Sequence, residues 1–242
     1  MVLTRQHRRR LPATVMATIS MLVLLTLAMW QSVGALEPEP GPLPLGSGDS
    51  VDVRYGSTPT LDGVIAPGEY SSPSQIQFAG HGGTVLVYMK HDGSNLYVAL
   101  DLPDTTPFDG NGPAVQVFLD TNHDRATLPQ TDDYRLTIRK GGTVHENRGN
   151  GAGWGVGWPA TGWSAAASVN AAGWQAEFSI GFAKLAITPG TPRTIGFTVA
   201  NVWTATGADY YWPSGVFWKD PSTWGAAYSS EQWAAWHFKE GG

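Results

Sequence analysis

The chain contains no cysteine. That absence excludes disulfide scaffolds, thiolate zinc sites, cysteine nucleophiles, iron–sulfur clusters and covalently attached c-type haem, so any core must hold by packing or by a hard metal. Charge is scarce as well: Asp, Glu, Lys and Arg make up 14% of the 242 residues, against 30 glycines, 17 prolines and 11 tryptophans. This balance belongs to a turn-rich globular protein rather than a disordered tail, and the length holds one sizeable domain or at most two small ones. No convincing long amphipathic helix appears. His81, His91, His123, His145 and His237 are scattered, with no His-Glu-x-x-His spacing, no Gly-x-Ser-x-Gly elbow and no Gly-x-Gly-x-x-Gly between a strand and a helix. Paired carboxylates for glycoside hydrolysis, such as Asp101 with Asp120, are an option, but a strand-end Asp more often satisfies turn amides. The chain reads as noncatalytic.

The net charge of −5 hides an asymmetry, because Arg5, Arg8, Arg9 and Arg10 all precede the first acid, Glu37. An apolar run from Ile19 to Trp30 follows, then small residues Ser32-Val33-Gly34-Ala35. This is the order of a secretory signal, residues 1–35, and implies a secreted or cell-envelope protein. An uncleaved membrane anchor is the rival reading, since no charge falls between Leu11 and Leu36; the short apolar run favours cleavage. Cutting after Ala35 leaves all 20 acids against 11 bases, a formal charge of −9, which repels nucleic acid phosphates.

Residues 36–50 are rich in Pro and Gly and read as a spacer. From Val51 onward short apolar runs alternate with Gly, Asn, Asp and Pro clusters. Thr84–Lys90 and Leu96–Leu102, joined through Asp92-Gly93, predict a hairpin, and further strands fit Ala114–Asp120, Tyr134–Lys140, Trp174–Ile180 and Thr194–Trp203. This spacing predicts an all-β antiparallel sandwich over residues 51–230. Phe182–Leu185 fits one helical turn and Ser230–Phe238 a short helix, with residues 231–242 as a tail. Gly149–Trp163 reads as a loop carrying adhesive rings, and Trp212 as structural.

Six pieces in order, Leu61-Asp62-Gly63 with Glu69-Tyr70, Asn95–Val98, Val115–Asp120, Gly173–Phe178, Ile195-Gly196-Phe197 and Trp218–Gly225, resemble the family 9 carbohydrate-binding modules and their DOMON-like superfamily. The resemblance implies a β-sandwich that holds the end of a glucan or xylan chain between two tryptophans. Carried over by position, Trp218 matches one of those tryptophans and Arg135 the arginine that hydrogen-bonds the sugar. The other tryptophan falls near Gly110, the family's carboxylate has become Gln116, and a later glutamine has become Ala200. Trp154, Trp158 and Trp163 are the candidates for a replacement ring. The expected partner is a polysaccharide or oligosaccharide. The alternatives are an extracellular protein partner, or haem as in other superfamily members. Haem has little ligand supply, because Met89 is the only methionine beyond residue 35 and its alternation with Val85 and Val87 places it in the core.

Asp120, Asn122, Asp124, Asp132 and Asp133 crowd hard oxygens into a loop between two predicted strands. That composition suits calcium, which takes six to eight oxygen ligands in irregular geometry. The later glycine and closing glutamate of an EF-hand are absent, so the expectation is a structural calcium site of another type, as the family resemblance also implies.

Overall fold

The computed structural model describes residues 49–71, 73–110, 112–203 and 208–235. The signal or anchor, nearly all of the spacer and the end of the tail lie outside these residues. In chain order the strands are β1 (Ser50–Asp52), β2 (Arg54–Tyr55), β3 (Ser74–Gly80), β4 (Gly83–His91), β5 (Asn95–Leu102), β6 (Ala114–Asp120) and β7 (Asp133–Arg139). They continue with β8 (Val144–Gly149), β9 (Trp154–Trp158), β10 (Trp163–Asn170), β11 (Gly173–Gly181), β12 (Thr194–Trp203), β13 (Ala208–Trp212) and β14 (Gly225–Tyr228). An eight-stranded sheet runs β1-β14-β12-β6-β7-β8-β9 with β13 also beside β12, and a six-stranded sheet runs β10-β11-β5-β4-β2 with β3 also beside β4.

The period-2 alternation read from the sequence points one set of residues inward from each sheet. Val115, Val117 and Leu119 of β6 and Ile195, Phe197 and Val199 of β12 share a core with Val85, Val87 and Met89 of β4, Val98 and Leu100 of β5, and Trp174 and Phe178 of β11. Most pairings are antiparallel, but the terminal strands depart from the expected all-antiparallel order: β1 pairs with β14, and β2 with β4, in parallel.

The outer face of the six-stranded sheet is closed by the chain itself. Glu177 of β11 is fully buried there; one oxygen accepts the amides of Gly63 at 2.8 Å and Asp62 at 3.2 Å, and the other the Tyr70 hydroxyl at 3.0 Å. Lys90 lies 4.7 Å from the Tyr70 ring centroid and donates to the Glu69 carbonyl. Gly63 is required here: its φ is +84°, and a Cβ would come within 2.5 Å of the Ala167 backbone.

Three expectations are corrected. Residues 154–158 form an edge strand rather than a loop, paired to β8 through a bulge between Glu146 and Arg148. Phe182–Leu185 does form a single hydrogen-bonded turn, with the Leu185 amide reaching the Gly181 carbonyl at 3.4 Å, but the described residues from Ser230 form turns rather than a helix. Trp233 is fully buried and donates to the Arg193 carbonyl at 2.8 Å, so packing continues into the segment read as a tail.

Candidate functional site

Cross-strand partners in a sheet share a face, so the register assembles the outer face of the eight-stranded sheet directly. One row runs Tyr211, Ala200, Gln116, Thr137, His145 across β13, β12, β6, β7 and β8. The next runs Thr198, Phe118, Arg135, Asn147. Beyond it, at the strand ends, Asp120 faces Asp133. The sequence-predicted Arg135, Gln116, Asp120 and Asp133 therefore lie on one surface.

Phe118 and Trp224 are buried in a small aromatic cluster on this face, with Trp154, Tyr211 and Trp218 packed against them. The Arg135 guanidinium sits 5.4 Å from the Trp154 ring centroid and 5.2 Å from that of Trp218, within range for cation–π attraction to both. Trp154 stacks on Trp224 with planes 4° apart and donates to the Trp218 carbonyl at 3.3 Å. Asn147 accepts from Arg135 Nε at 3.1 Å and Nη2 at 2.8 Å while donating to the Gly155 carbonyl at 2.9 Å. Burial draws the pKa of Arg135 below the ordinary range.

Trp218 is placed by the tight turn that follows it. Asp220 caps a single 3-10 turn, Pro221–Thr223, accepting from the Ser222 amide at 3.1 Å and its hydroxyl at 2.6 Å. Among the three candidate rings, Trp154 is the one beside Trp218. Trp163 turns into the core, where its Nε1 donates to Glu146 at 2.6 Å, and Trp158 lies at the rim, 46% exposed.

Two clefts meet at Arg135. One, of about 340 Å³, is lined by Gln116, Thr137, Arg139, His145, Asn147 and Trp158 among others. The other, of about 400 Å³, lies between Trp154, Trp218 and Lys219. Asn147, Lys219 and Trp224 were not singled out from the sequence; the register opposite Arg135 and the turn after Trp218 identify them.

At the end of the same face the acidic loop closes on itself. Asp120 accepts the amides of His123 at 2.6 Å and Arg125 at 3.0 Å, holding both residues at a φ of 55°. Gly196 opposite leaves it room, since a Cβ there would come within 2.7 Å of the Asp120 Cβ. Asp120, Asp132 and Asp133 bring carboxylate oxygens within 4.8 Å of one another. Asp132 Oδ2 and Asp133 Oδ1 are buried with no hydrogen-bond partner among the described residues. Burial, with neighbouring carboxylates adding, pushes Asp133 up to about 7 and raises Asp120. Unfilled hard oxygens in a crowded acidic pocket fit calcium. Asn122 and Asp124 stand outside this cluster: both are exposed and bond to each other, Asp124 N to Asn122 Oδ1 at 2.7 Å.

No family model matches the chain. Over 62 residues it is 39% identical to endo-1,4-beta-xylanase A of Thermoanaerobacterium saccharolyticum, a stretch covering 26% of this chain and 5% of the xylanase. A family 9 carbohydrate-binding module from Caldicellulosiruptor kristjanssonii in complex with cellotriose superposes with a TM-score of 0.58 at 17% identity, covering 80% of this chain and 97% of the module. A family 9 carbohydrate-binding module from the same organism, in complex with glucose, gives a TM-score of 0.57 at 17% identity, over 74% of this chain and 95% of that one. The fold is that of a family 9 carbohydrate-binding module. On this family 9 fold the Trp154, Arg135 and Trp218 group occupies the open sheet face, and Met89 is fully buried between the sheets.

Proposed function

We propose that the protein is an exported, noncatalytic glycan-binding module whose platform is Trp154 and Trp218 around Arg135. The observation that carries this reading is the pair of indoles beside a guanidinium on the open sheet face. Aromatic faces offer a flat apolar surface to the C–H face of a sugar, and a few fixed polar groups set its orientation; Arg135, Gln116 and Asn147 would take that role. The neighbours on the same fold, solved with cellotriose and glucose, support it.

Calcium belongs to the same reading. Asp120, Asp132 and Asp133 would hold it, and the ion would neutralise their crowded charge. Those residues bear on the platform through the chain: Arg125 donates to the Ser222 carbonyl at 2.7 Å and the Ser222 amide donates to the Ala126 carbonyl at 3.2 Å, which ties the acidic loop to the turn after Trp218. The test is a pull-down of residues 36–242 on insoluble and soluble polysaccharides in calcium. Retention that Trp218→Ala reduces at least tenfold, with an unchanged melting temperature, is the expected result, since a central aromatic anchor typically contributes about 2 kcal/mol or more. Retention unaffected by the substitution would move the site elsewhere, and no retention on any glycan would end the reading.

A further inference from the structure

Resting on that reading, we infer that the preferred glycan carries a carboxylate, a uronic acid residue that docks on Arg135. The argument is one of charge. Arg135 has five N–H donors, and among the described residues only Nε and one Nη2 hydrogen are committed, both to the neutral Asn147. No carboxylate pairs with it among the described residues. A half-buried cation ordinarily has a counter-ion, because desolvating it alone is costly.

The walls do not supply one. In the cleft beside Trp218 the charged lining residues are Arg135 and Lys219, and Lys219 Nζ stands 4.6 Å from the Trp218 centroid. In the neighbouring cleft the sole carboxylate among the described lining residues is Glu146, and its two oxygens are taken by Trp163 Nε1 at 2.6 Å and Lys184 Nζ at 2.8 Å. Gln116, one row from Arg135 on the adjacent strand, presents a neutral amide. A cationic site has thus been assembled on a chain whose formal charge is −5. The planar guanidinium fork matches a carboxylate in two parallel hydrogen bonds, while the indoles flanking it take the sugar ring.

Titration calorimetry on residues 36–242 in calcium decides the matter, with oligomers bearing glucuronic or galacturonic acid, neutral xylo- and cello-oligosaccharides of equal length, and a sulfated cello-oligosaccharide. The expected result is uronate binding at least tenfold tighter than neutral, weakening as salt rises. Arg135→Gln should remove that preference. Gln116→Glu, which keeps the arginine and supplies an internal counter-ion, should weaken uronate binding more than it weakens neutral binding. Neutral sugars binding as tightly as uronates would overturn the inference and leave the platform standing. Tighter binding of the sulfated oligomer would overturn the carboxylate assignment. Failure of all three would overturn the glycan reading along with it.

Discussion

The outer face of the six-stranded sheet is covered by residues 56–71, whereas that of the eight-stranded sheet opens into clefts around Arg135. Each face holds a charge withdrawn from water. Glu177, on the covered side, has three hydrogen-bond donors from the chain that lies over it. Arg135, on the open side, has a single amide oxygen and two ring faces. A buried charge answered from within fixes the fold; one left partly unanswered at an open surface prepares for something from outside.

The largest effect that would test this contrast is the loss of Glu177. Glu177→Ala leaves the Asp62 and Gly63 amides and the Tyr70 hydroxyl without their acceptor, and should cost about 3–5 kcal/mol. A denaturant melt checks it, and a loss below about 1 kcal/mol would mean that the cover is held by other contacts. Glycan affinity of the folded fraction should not move, because the covered face is not the binding face.

Chelation should have the next largest effect. Asp132 and Asp133 place unpartnered oxygens beside Asp120, so removing calcium should lower the melting temperature by several degrees, in line with about 2.7 kcal/mol at a hundredfold excess over Kd. Because Arg125 and Ala126 grip Ser222, glycan affinity should fall too. An unchanged melt on adding chelator would remove the metal from this account.

The smallest expected effect lies at Asp92, in the β4–β5 turn on the covered side. Burial raises its pKa, but this is outweighed by hydrogen bonds from the Tyr97 and Thr58 hydroxyls and the Asn95 and Ser94 amides, and the net direction is down. A depressed carboxyl stabilises the fold above its unfolded value and loses that contribution as pH falls through the folded one. Asp92→Asn should therefore flatten the decline in stability below about pH 4 and leave binding untouched. An identical acid limb in the variant would place the sensitivity elsewhere.

The same contrast explains what was legible in the sequence. β4, β5, β6, β11 and β12 follow from alternation and turn residues, because burial on one face writes itself into every second position. Several of the pieces carrying the family resemblance, Leu61-Asp62-Gly63, Glu69-Tyr70 and Gly173–Phe178, prove to belong to the six-stranded sheet and the segment that covers it, so they announce the fold more strongly than the ligand. β9 escaped notice because Gly155 and Gly157 have weak strand preference, and its bulge sets Trp154 opposite Gly149 but Trp158 opposite Glu146, which plain alternation does not foresee. Asn147 became visible only once the β7–β8 register set it opposite Arg135. Choosing Trp154 over Trp158 and Trp163 likewise needed that edge in place.

The parallel pairing of β1 with β14 has a mechanical consequence. Tension applied to the two ends of the described domain would draw these strands past each other along their length. The bonds from the Ala226 amide to the Asp49 carbonyl and from the Val53 amide to the Tyr228 carbonyl would then be loaded together in shear, not opened one after another as in a peeled hairpin. A polymer held on the far side of the same sheet could pull on its module without unzipping it from the end.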